Sequence, residues 1–170
     1  MQDEKQQIFE SFEVPDKGRI LKVKSWLQKR GFLANTNKIK ILEIGYSKGG
    51  LLDNLLEYSN IGKYAVDINQ KTTERDVKFY QFDCNNGLPD FNGIRFNIIF
   101  AGEVIEHIID DERFLSEINK LLAPGGILIL TTPNLFFLVN RFLFPFGKMP
   151  FFAYALIIIT SMIKKPYRPL

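Results

Sequence analysis

The ten residues from Ile41 to Gly50 constrain the fold of this chain more than any other segment. They read ILEIGYSKGG, an apolar run with one acidic residue that leads into a loop of small residues. The following residues, 51–56, have helical apolar spacing. A buried strand, loop and helix in this order leave backbone N–H groups at the helix N-terminus. Glycine lets the backbone take a positive φ and lets a ligand approach. The segment therefore predicts a site for a nucleotide-like ligand.

The composition excludes several functional classes. A chain of 170 residues with 46% apolar and 24% charged residues is expected to form one globular domain with a sizeable core. A net charge of +3 is too small to indicate a nucleic-acid partner. The lone cysteine, Cys84, excludes an internal disulfide framework. Because residues 1–7 are also too polar for a secretory signal, we expect a cytoplasmic protein.

Strands are predicted to alternate with helices along most of the chain. A first helix spans residues 18–30, and its lysines and arginines are expected to form a solvated face. The predicted strands cover residues 39–44, 63–66, 77–82, 97–100 and 127–131. The predicted helices between them cover residues 48–58 and 103–122, the second broken near Asp110 and Asp111. This alternation of helices with short, wholly apolar strands predicts a three-layer α/β domain with a mainly parallel sheet.

Acidic residues follow three of the predicted strands. Asp67 and Asp83 come directly after strands two and three, and Glu103 lies three residues after strand four. Ligands of doubly wound sheets bind beyond the carboxyl ends of the strands, so we expect these carboxylates to surround one crevice. Asp67, 18 residues after Gly49, is placed to accept hydrogen bonds from both hydroxyls of a ribose.

With these motifs the chain resembles the class I S-adenosylmethionine-dependent methyltransferases, in the small-molecule branch of types 11 and 23, over about residues 38–134. Residues 43–49, EIGYSKG, resemble the E/D-x-G-x-G-x-G loop of the family. FNII followed by EVIEH in residues 96–107 resembles the fourth motif, and LLAPGG at 121–126 the turn before strand five. The resemblance implies a Rossmann-like fold, S-adenosyl-L-methionine as cofactor, and methyl transfer to a small-molecule or a lipid- or saccharide-linked acceptor.

The resemblance also assigns roles to individual residues. Glu43, Gly45 and Gly49 are expected to hold the methionine part of the cofactor, Asp67 the ribose and Asp83 the adenine amine. His107 or Glu106 is the expected general base for the acceptor. The complete set implied in cofactor binding is Glu43, Gly45, Tyr46, Ser47, Gly49, Asp67, Ile68, Asp83, Cys84, Gly102 and Glu103.

The fourth motif contains a candidate metal site. Glu103, Glu106 and His107 stand at i, i+3 and i+4, which places them on one face of a helix. Two carboxylates and an imidazole can begin a divalent-metal site. The alternative is that Glu103 lines the cofactor pocket while the other two make local polar contacts. We favour this alternative and expect no metal, because no second histidine completes the ligand set.

The chain departs from the family pattern in two places. Ser47 replaces the second glycine of the loop. Only 36 residues follow Asn134, so the last strands of the family sheet are expected to be missing. The chain is thus divided into an N-terminal helical region (1–37), a cofactor-binding core (38–134) and an apolar, aromatic tail (135–170). A non-catalytic relative that binds a cofactor or a partner chain is the alternative function.

The aromatic tail has three interpretations: a substrate lid, a cover for the sheet edge, or a membrane-surface or partner contact through residues 135–163. Seven of the 16 phenylalanines lie between Phe136 and Phe152. The 15 residues from Met149 to Ile163 carry no charge, fewer than the ~20 that a spanning helix needs. We expect a buried or membrane-surface helix there, with the protein peripheral to the membrane in the second case. Leu156–Thr160 is the only strand candidate in the tail.

Two further functions use the same loop. Residues 45–49 also spell G-x-S-x-G, the nucleophile elbow of α/β-hydrolases, with Ser47 as nucleophile. The only histidine, His107, lies in a predicted helix rather than in a late loop, which disfavours a hydrolase. A nicotinamide site would have glycines at 45, 47 and 50, and Ser47 breaks that pattern.

Overall fold

A computed structural model describes residues 17–34, 38–46, 50–69, 76–134 and 153–160. They form one sheet with helices on both faces. The α-helices are α1 (Lys17–Lys29) and α2 (Asp111–Leu121). The strands are β1 (Ile39–Ile44), β2 (Ile61–Asp67), β3 (Val77–Gln81), β4 (Phe96–Gly102), β5 (Leu122–Asn134) and β6 (Ala153–Thr160). Short 3₁₀ helices cover Leu52–Leu55, Cys84–Asn86 and Ile105–His107.

The strand order creates a crevice at one edge of the sheet. The order is β3-β2-β1-β4-β5-β6; the first five strands are parallel and β6 is antiparallel to β5. The chain winds outward from β1 to β3 and then returns to β4 on the other side of β1. Beyond the carboxyl ends of β1 and β4 the connections therefore diverge, which is where doubly wound sheets bind ligands. The predicted α/β fold with a parallel sheet is confirmed.

Two apolar clusters, one on each face, explain why the strands lack a polar face. Ile41 of β1 packs beneath α1 with Val23 and Leu27. The next residue, Leu42, packs on the other face, in the cluster that contains Phe114 of α2. Since successive side chains of a strand point to opposite faces, a sheet covered on both sides requires apolar residues at nearly every position.

Several predicted bounds need correction. Among the described residues of the predicted helix 48–58, only Leu52–Leu55 is helical, as a 3₁₀ turn. The predicted helix 103–122 is a 3₁₀ turn followed by α2, which begins at Asp111. The break at Asp110 is confirmed: its side chain caps α2 by accepting the Arg113 N–H at 2.9 Å. β5 begins earlier than predicted, at Leu122, and its pairing with β4 shifts register between Phe96 and Ile98.

The apolar tail contains a strand where a helix was predicted. β6 pairs with β5 from Asn134↔Ala153 to Thr131↔Leu156 and on to Ile127↔Thr160. A run of three isoleucines at 157–159 favours an extended backbone, and the edge of β5 supplies its hydrogen-bond partners. The helix prediction is therefore wrong over Ala153–Thr160, whereas the strand candidate Leu156–Thr160 is confirmed. The sheet does not end at β5, and the tail covers the β5 edge there.

The other interpretations of the tail remain predictions. Residues 135–152, which carry the seven phenylalanines, and residues 161–170 lie outside the described residues, so a role as lid, membrane contact or partner contact is not tested. Over the described ranges, no helix is long and apolar enough to cross a membrane.

Candidate functional site

Glu43 fixes the backbone that follows the loop after β1. Its side chain is 2% exposed. Oε1 accepts the Leu51 N–H at 3.0 Å, and Oε2 accepts the Leu52 N–H at 2.8 Å. Burial raises the pKa of Glu43 to about 7, against the lowering effect of these two hydrogen bonds. Both carboxylate oxygens are thus engaged by the turn that the loop leads into, so Glu43 shapes the site from beneath.

Gly45 is required by packing within the protein. Its φ is +75°, and a Cβ at this position would lie 2.5 Å from Cγ2 of Val104. The backbone N–H groups of Gly45 and Tyr46 both donate to the carbonyl of Val66, at 2.9 and 3.2 Å. The close approach that the sequence assigned to a ligand is made here by Val104, which joins the end of β1 to the loop after β4.

Of the remaining predicted loop residues, Tyr46 is a core residue, and the other two lie outside the described residues. The side chain of Tyr46 is 2% exposed and belongs to the apolar cluster under α1. Its hydroxyl donates to Oδ1 of Asp53. Ser47 and Gly49 lie outside the described residues, so their expected contacts with the cofactor, and Ser47 as a hydrolase nucleophile, are not tested.

Asp67, Asp83 and Cys84 lie together at the ends of β2 and β3. Oδ1 of Asp67 accepts the Asn69 N–H at 2.8 Å, and the Phe82 N–H donates to the Asp67 carbonyl at 2.9 Å. Burial raises the pKa of the Cys84 thiol to about 12, and the negative charges of Asp83 and Asp67 add to the effect. Because β2 and β3 are paired up to Asp67↔Gln81, Asp67 and Asp83 lie at adjacent strand ends, as the crevice prediction requires.

An exposed apolar side chain adjoins these carboxylates. Ile68, directly after Asp67, is 58% exposed, whereas most isoleucines whose side chains the structure describes are buried. The sequence placed Ile68 in the cofactor site. An exposed apolar surface beside a carboxylate is suited to a ligand that combines a flat ring with hydroxyl groups.

Glu103 is held at the end of β4 by a contact from α1. Its Oε1 lies 2.7 Å from Nη1 of Arg19, which also donates to Oγ1 of Thr131 at 3.0 Å. The Glu103 N–H donates to the Thr131 carbonyl at 2.9 Å. Burial raises the pKa of Glu103, and the charge of Arg19 opposes that rise. Glu103 has a φ of +57°, an uncommon conformation for a residue with a side chain.

Arg19 corrects the prediction of a uniformly solvated basic face. Its side chain is 13% exposed and buried against Glu103. Arg19 and Thr131 are site residues that the sequence did not identify. The spacing of charges along a helix shows which residues share a face. It cannot predict that one of them pairs with a carboxylate distant in sequence, as Arg19 does with Glu103. Gly102, which the sequence did identify, has no room for a side chain, because a Cβ there would lie 2.7 Å from Cζ of Phe100.

The two candidate general bases lie on the 3₁₀ turn Ile105–His107. Glu106 and His107 are both exposed. Glu103 precedes this turn in a left-handed conformation, so the prediction that all three share one helix face is wrong. Within the described part of the chain, no group of three His, Cys, Asp or Glu side chains is arranged to hold a metal ion.

Known proteins with similar sequences align with this chain over only part of their own length. The human mitochondrial ubiquinone biosynthesis O-methyltransferase is 35% identical over 107 residues, which cover 56% of this chain and 29% of that protein. The ubiquinone biosynthesis O-methyltransferase of Caulobacter sp. (strain K31) is 29% identical over 106 residues, 56% of this chain and 41% of the relative. The chain thus spans less than half the length of these relatives.

Solved structures share the fold at low sequence identity. The plantazolicin methyltransferase BpumL, in complex with a monoazolic desmethylPZN analog and S-adenosylhomocysteine, has a TM-score of 0.63 at 13% identity, over 77% of this chain and 54% of that one. Coclaurine N-methyltransferase, bound to N-methylheliamine and S-adenosylhomocysteine, has a TM-score of 0.55 at 18% identity, over 66% and 35%. The family profile described as "Methyltransferase domain" matches residues 17–160. The chain therefore belongs to the methyltransferase-domain family.

Proposed function

We propose that this chain binds S-adenosyl-L-methionine beyond the carboxyl ends of β1, β2 and β3 and transfers its methyl group to a small-molecule acceptor. The observation that carries the proposal is that Asp67 and Asp83 lie at the ends of the paired strands β2 and β3, where the Phe82 N–H donates to the Asp67 carbonyl at 2.9 Å, next to the crevice between β1 and β4. The family membership and the S-adenosylhomocysteine in two structural neighbours support the same cofactor.

The residues fit the parts of this cofactor. Asp67, partly exposed at the end of β2, is suited to accept hydrogen bonds from ribose hydroxyls. Asp83 is suited to accept from an exocyclic adenine amine, and the exposed Ile68 offers an apolar surface to a purine ring. The carboxylates also favour a positively charged sulfonium in the crevice. No described residue of the site opposes that charge except Arg19, which Glu103 engages at 2.7 Å.

The chemistry demands little covalent work from the protein. The bound cofactor supplies an activated methyl group. The residues of the chain then orient the acceptor for in-line attack at ~3–3.5 Å and keep it there. An imidazole nitrogen of His107, or the carboxylate of Glu106, takes the acceptor's proton from the exposed turn after β4.

We infer an acceptor that carries a hydroxyl group. Both ubiquinone biosynthesis relatives are named O-methyltransferases, which supports oxygen as the methylated atom. A hydroxyl is also the acceptor group that benefits from a neighbouring base, because its oxygen must lose a proton during the transfer. Cys84 is a free thiol, which supports a reducing compartment such as the cytoplasm.

The transfer reaction tests the proposal. The folded chain is incubated with S-adenosylmethionine labelled with tritium in the methyl group and with a panel of catechols and other phenols, and label extracted into organic solvent is counted. We expect transfer by wild type and by Asp76→Ala, which changes an exposed carboxylate outside the crevice. With the cofactor well below saturation, Asp67→Ala should reduce transfer about 50-fold, and His107→Ala and Glu106→Gln together should reduce it about a hundredfold or more.

Two results would separate the alternatives. Transfer at the wild-type rate by Asp67→Ala would contradict the assigned site. Binding of S-adenosylhomocysteine without transfer to any acceptor would contradict the catalytic part of the proposal and favour a non-catalytic cofactor-binding domain.

A further inference from the structure

Asn85, in the turn after β3, uses both its backbone and its side chain to join two loops. Its N–H donates to Oδ1 of Asp83 at 2.9 Å. Its Nδ2 donates to the carbonyl of His107 at 3.1 Å, and its Oδ1 accepts the N–H of Ile109 at 2.9 Å. Its own carbonyl accepts from Nη2 of Arg113. One residue thus binds the adenine side of the crevice to the loop after β4.

In the loop after β4, the hydrogen bonds from Asn85 hold residues whose side chains contribute little core packing. Ile109 is 90% exposed, so its side chain adds no core packing. Ile105 and Ile108 are only partly buried against the core. The hydrogen bonds with Asn85 therefore hold the backbone at His107 and Ile109, on either side of the partly buried Ile108.

An asparagine is the side chain that this geometry requires. The amide offers a donor for the carbonyl of His107 and an acceptor for the N–H of Ile109. An aspartate would present only acceptors, and an apolar side chain would leave both backbone groups without a protein partner. The neighbouring Asn86 reaches only Oδ2 of Asp83, at 3.4 Å, and makes no such bridge to the loop.

We propose that Asn85 is a positioning residue that couples occupation of the adenine side of the crevice to the order of the loop carrying Glu106 and His107. This inference rests on the function proposed above, since it takes S-adenosylhomocysteine as the ligand that contacts Asp83. A ligand held by Asp83 stabilises the turn 83–86. Asn85 transmits that stabilisation to residues 107–109, which fixes the candidate bases before the acceptor enters.

Hydrogen–deuterium exchange on the full chain tests the coupling. Wild type, Asn85→Ala and Asn86→Ala are measured by mass spectrometry with and without saturating S-adenosylhomocysteine, whose binding is checked by calorimetry. Without ligand, Asn85→Ala should accelerate exchange at 107–110 by about fivefold, the factor that corresponds to one hydrogen bond of ~1 kcal/mol. With ligand, wild type and Asn86→Ala should gain protection at both 83–87 and 104–110, whereas Asn85→Ala should gain it only at 83–87.

The outcomes distinguish this inference from the proposed function. If Asn85→Ala binds ligand and its segment 104–110 is protected as in wild type, the coupling is overturned. If folded wild type binds no S-adenosylhomocysteine, the proposed function fails and the coupling fails with it. Asn85→Asp provides a milder variant that keeps the acceptor for Ile109 and loses the donor for His107. It should show a smaller loss of coupling in the same direction, and an unchanged response would also overturn the inference.

Discussion

Nη1 of Arg19 lies 2.7 Å from Oε1 of Glu103, which ties the first turn of α1 to the end of β4. The side chains are 13% and 25% exposed, so the pair is largely withdrawn from water. Because Glu103 follows the last residue of β4 and precedes the turn with the candidate bases, α1 contributes directly to the wall of the crevice. Thr131 of β5 completes the contact through its hydroxyl.

A double-mutant cycle should measure a substantial coupling energy for this pair. Arg19→Met leaves a partly buried carboxylate without its cation, and we expect a loss of about 1–3 kcal/mol in the free energy of unfolding. Glu103→Gln in the Arg19→Met background should recover part of that loss. The matched control is the pair Lys24–Glu57, at 2.9 Å, where Lys24 is 19% exposed but the carboxylate of Glu57 is on a side chain that is 63% exposed. Its coupling should stay below about 1 kcal/mol, and equal couplings in the two cycles would contradict the account.

The buried carboxyl of Glu43 should make stability depend on pH. Its pKa in the folded state is about 7, above the ordinary value of 4.5. The folded state therefore binds the proton more tightly than the unfolded state. The resulting stabilisation is present below pH 4.5 and is lost as the pH rises through 7. From pH 4.5 to 8 the loss is about 3 kcal/mol.

Urea unfolding at pH 5 and pH 8 measures this effect when wild type is compared with Glu43→Gln. The glutamine is nearly isosteric and does not titrate. From pH 5 to pH 8, the free energy of unfolding of wild type should therefore fall relative to that of Glu43→Gln. A difference that is the same at both pH values would show that Glu43 does not titrate in this range. Glu43→Ala should be less stable at both, because the N–H groups of Leu51 and Leu52 lose their acceptors.

A comparison of two glycines with the same φ distinguishes the packing cost of an added side chain from its backbone cost. Gly45 and Gly93 both have a φ of +75°, but a Cβ at Gly45 would lie 2.5 Å from Cγ2 of Val104, while Gly93 has nothing within 4 Å. Gly93→Ala should cost about 1 kcal/mol from the backbone alone. Gly45→Ala should cost about 1–3 kcal/mol more, because Val104 must move.

The mutation Val104→Ala provides the test of this explanation. In its background, Gly45→Ala should cost little more than Gly93→Ala does, as measured by thermal or urea unfolding. An excess cost that persists without the valine methyls would mean that something other than Val104 excludes a side chain at position 45.

Local patterns predicted the sheet and the strand ends well, because both are set by nearby residues. Continuous apolar runs marked β1 to β4, and the acidic residues after them marked the crevice that Asp67 and Asp83 form. The isoleucines of β6 carried a β-branched signal, but a short apolar run has no periodicity that separates a strand from a buried helix. The spacing of residues 51–56 likewise matched a helix, although burial of Leu52 and Leu55 is satisfied by a single 3₁₀ turn.

Contacts between distant parts of the chain could not be predicted from such patterns. The pairing of Arg19 with Glu103, the contact of Gly45 with Val104 and the bridge from Asn85 to His107 each depend on how loops meet at the end of the sheet. Glu103 illustrates the point. Its spacing to Glu106 and His107 fits a helix, but the backbone turns left-handed at Glu103 and separates it from them.

Calorimetric titration with S-adenosylhomocysteine tests the central claim, that the crevice at the ends of β1 to β3 binds this cofactor, most directly. Wild type and Asp76→Ala should bind one equivalent saturably. Asp67→Ala should bind about 50-fold more weakly, since it loses hydrogen bonds to a charged acceptor worth ~2–3 kcal/mol. Equal affinity in Asp67→Ala, or no binding to a wild-type sample that is folded by circular dichroism, would contradict the claim.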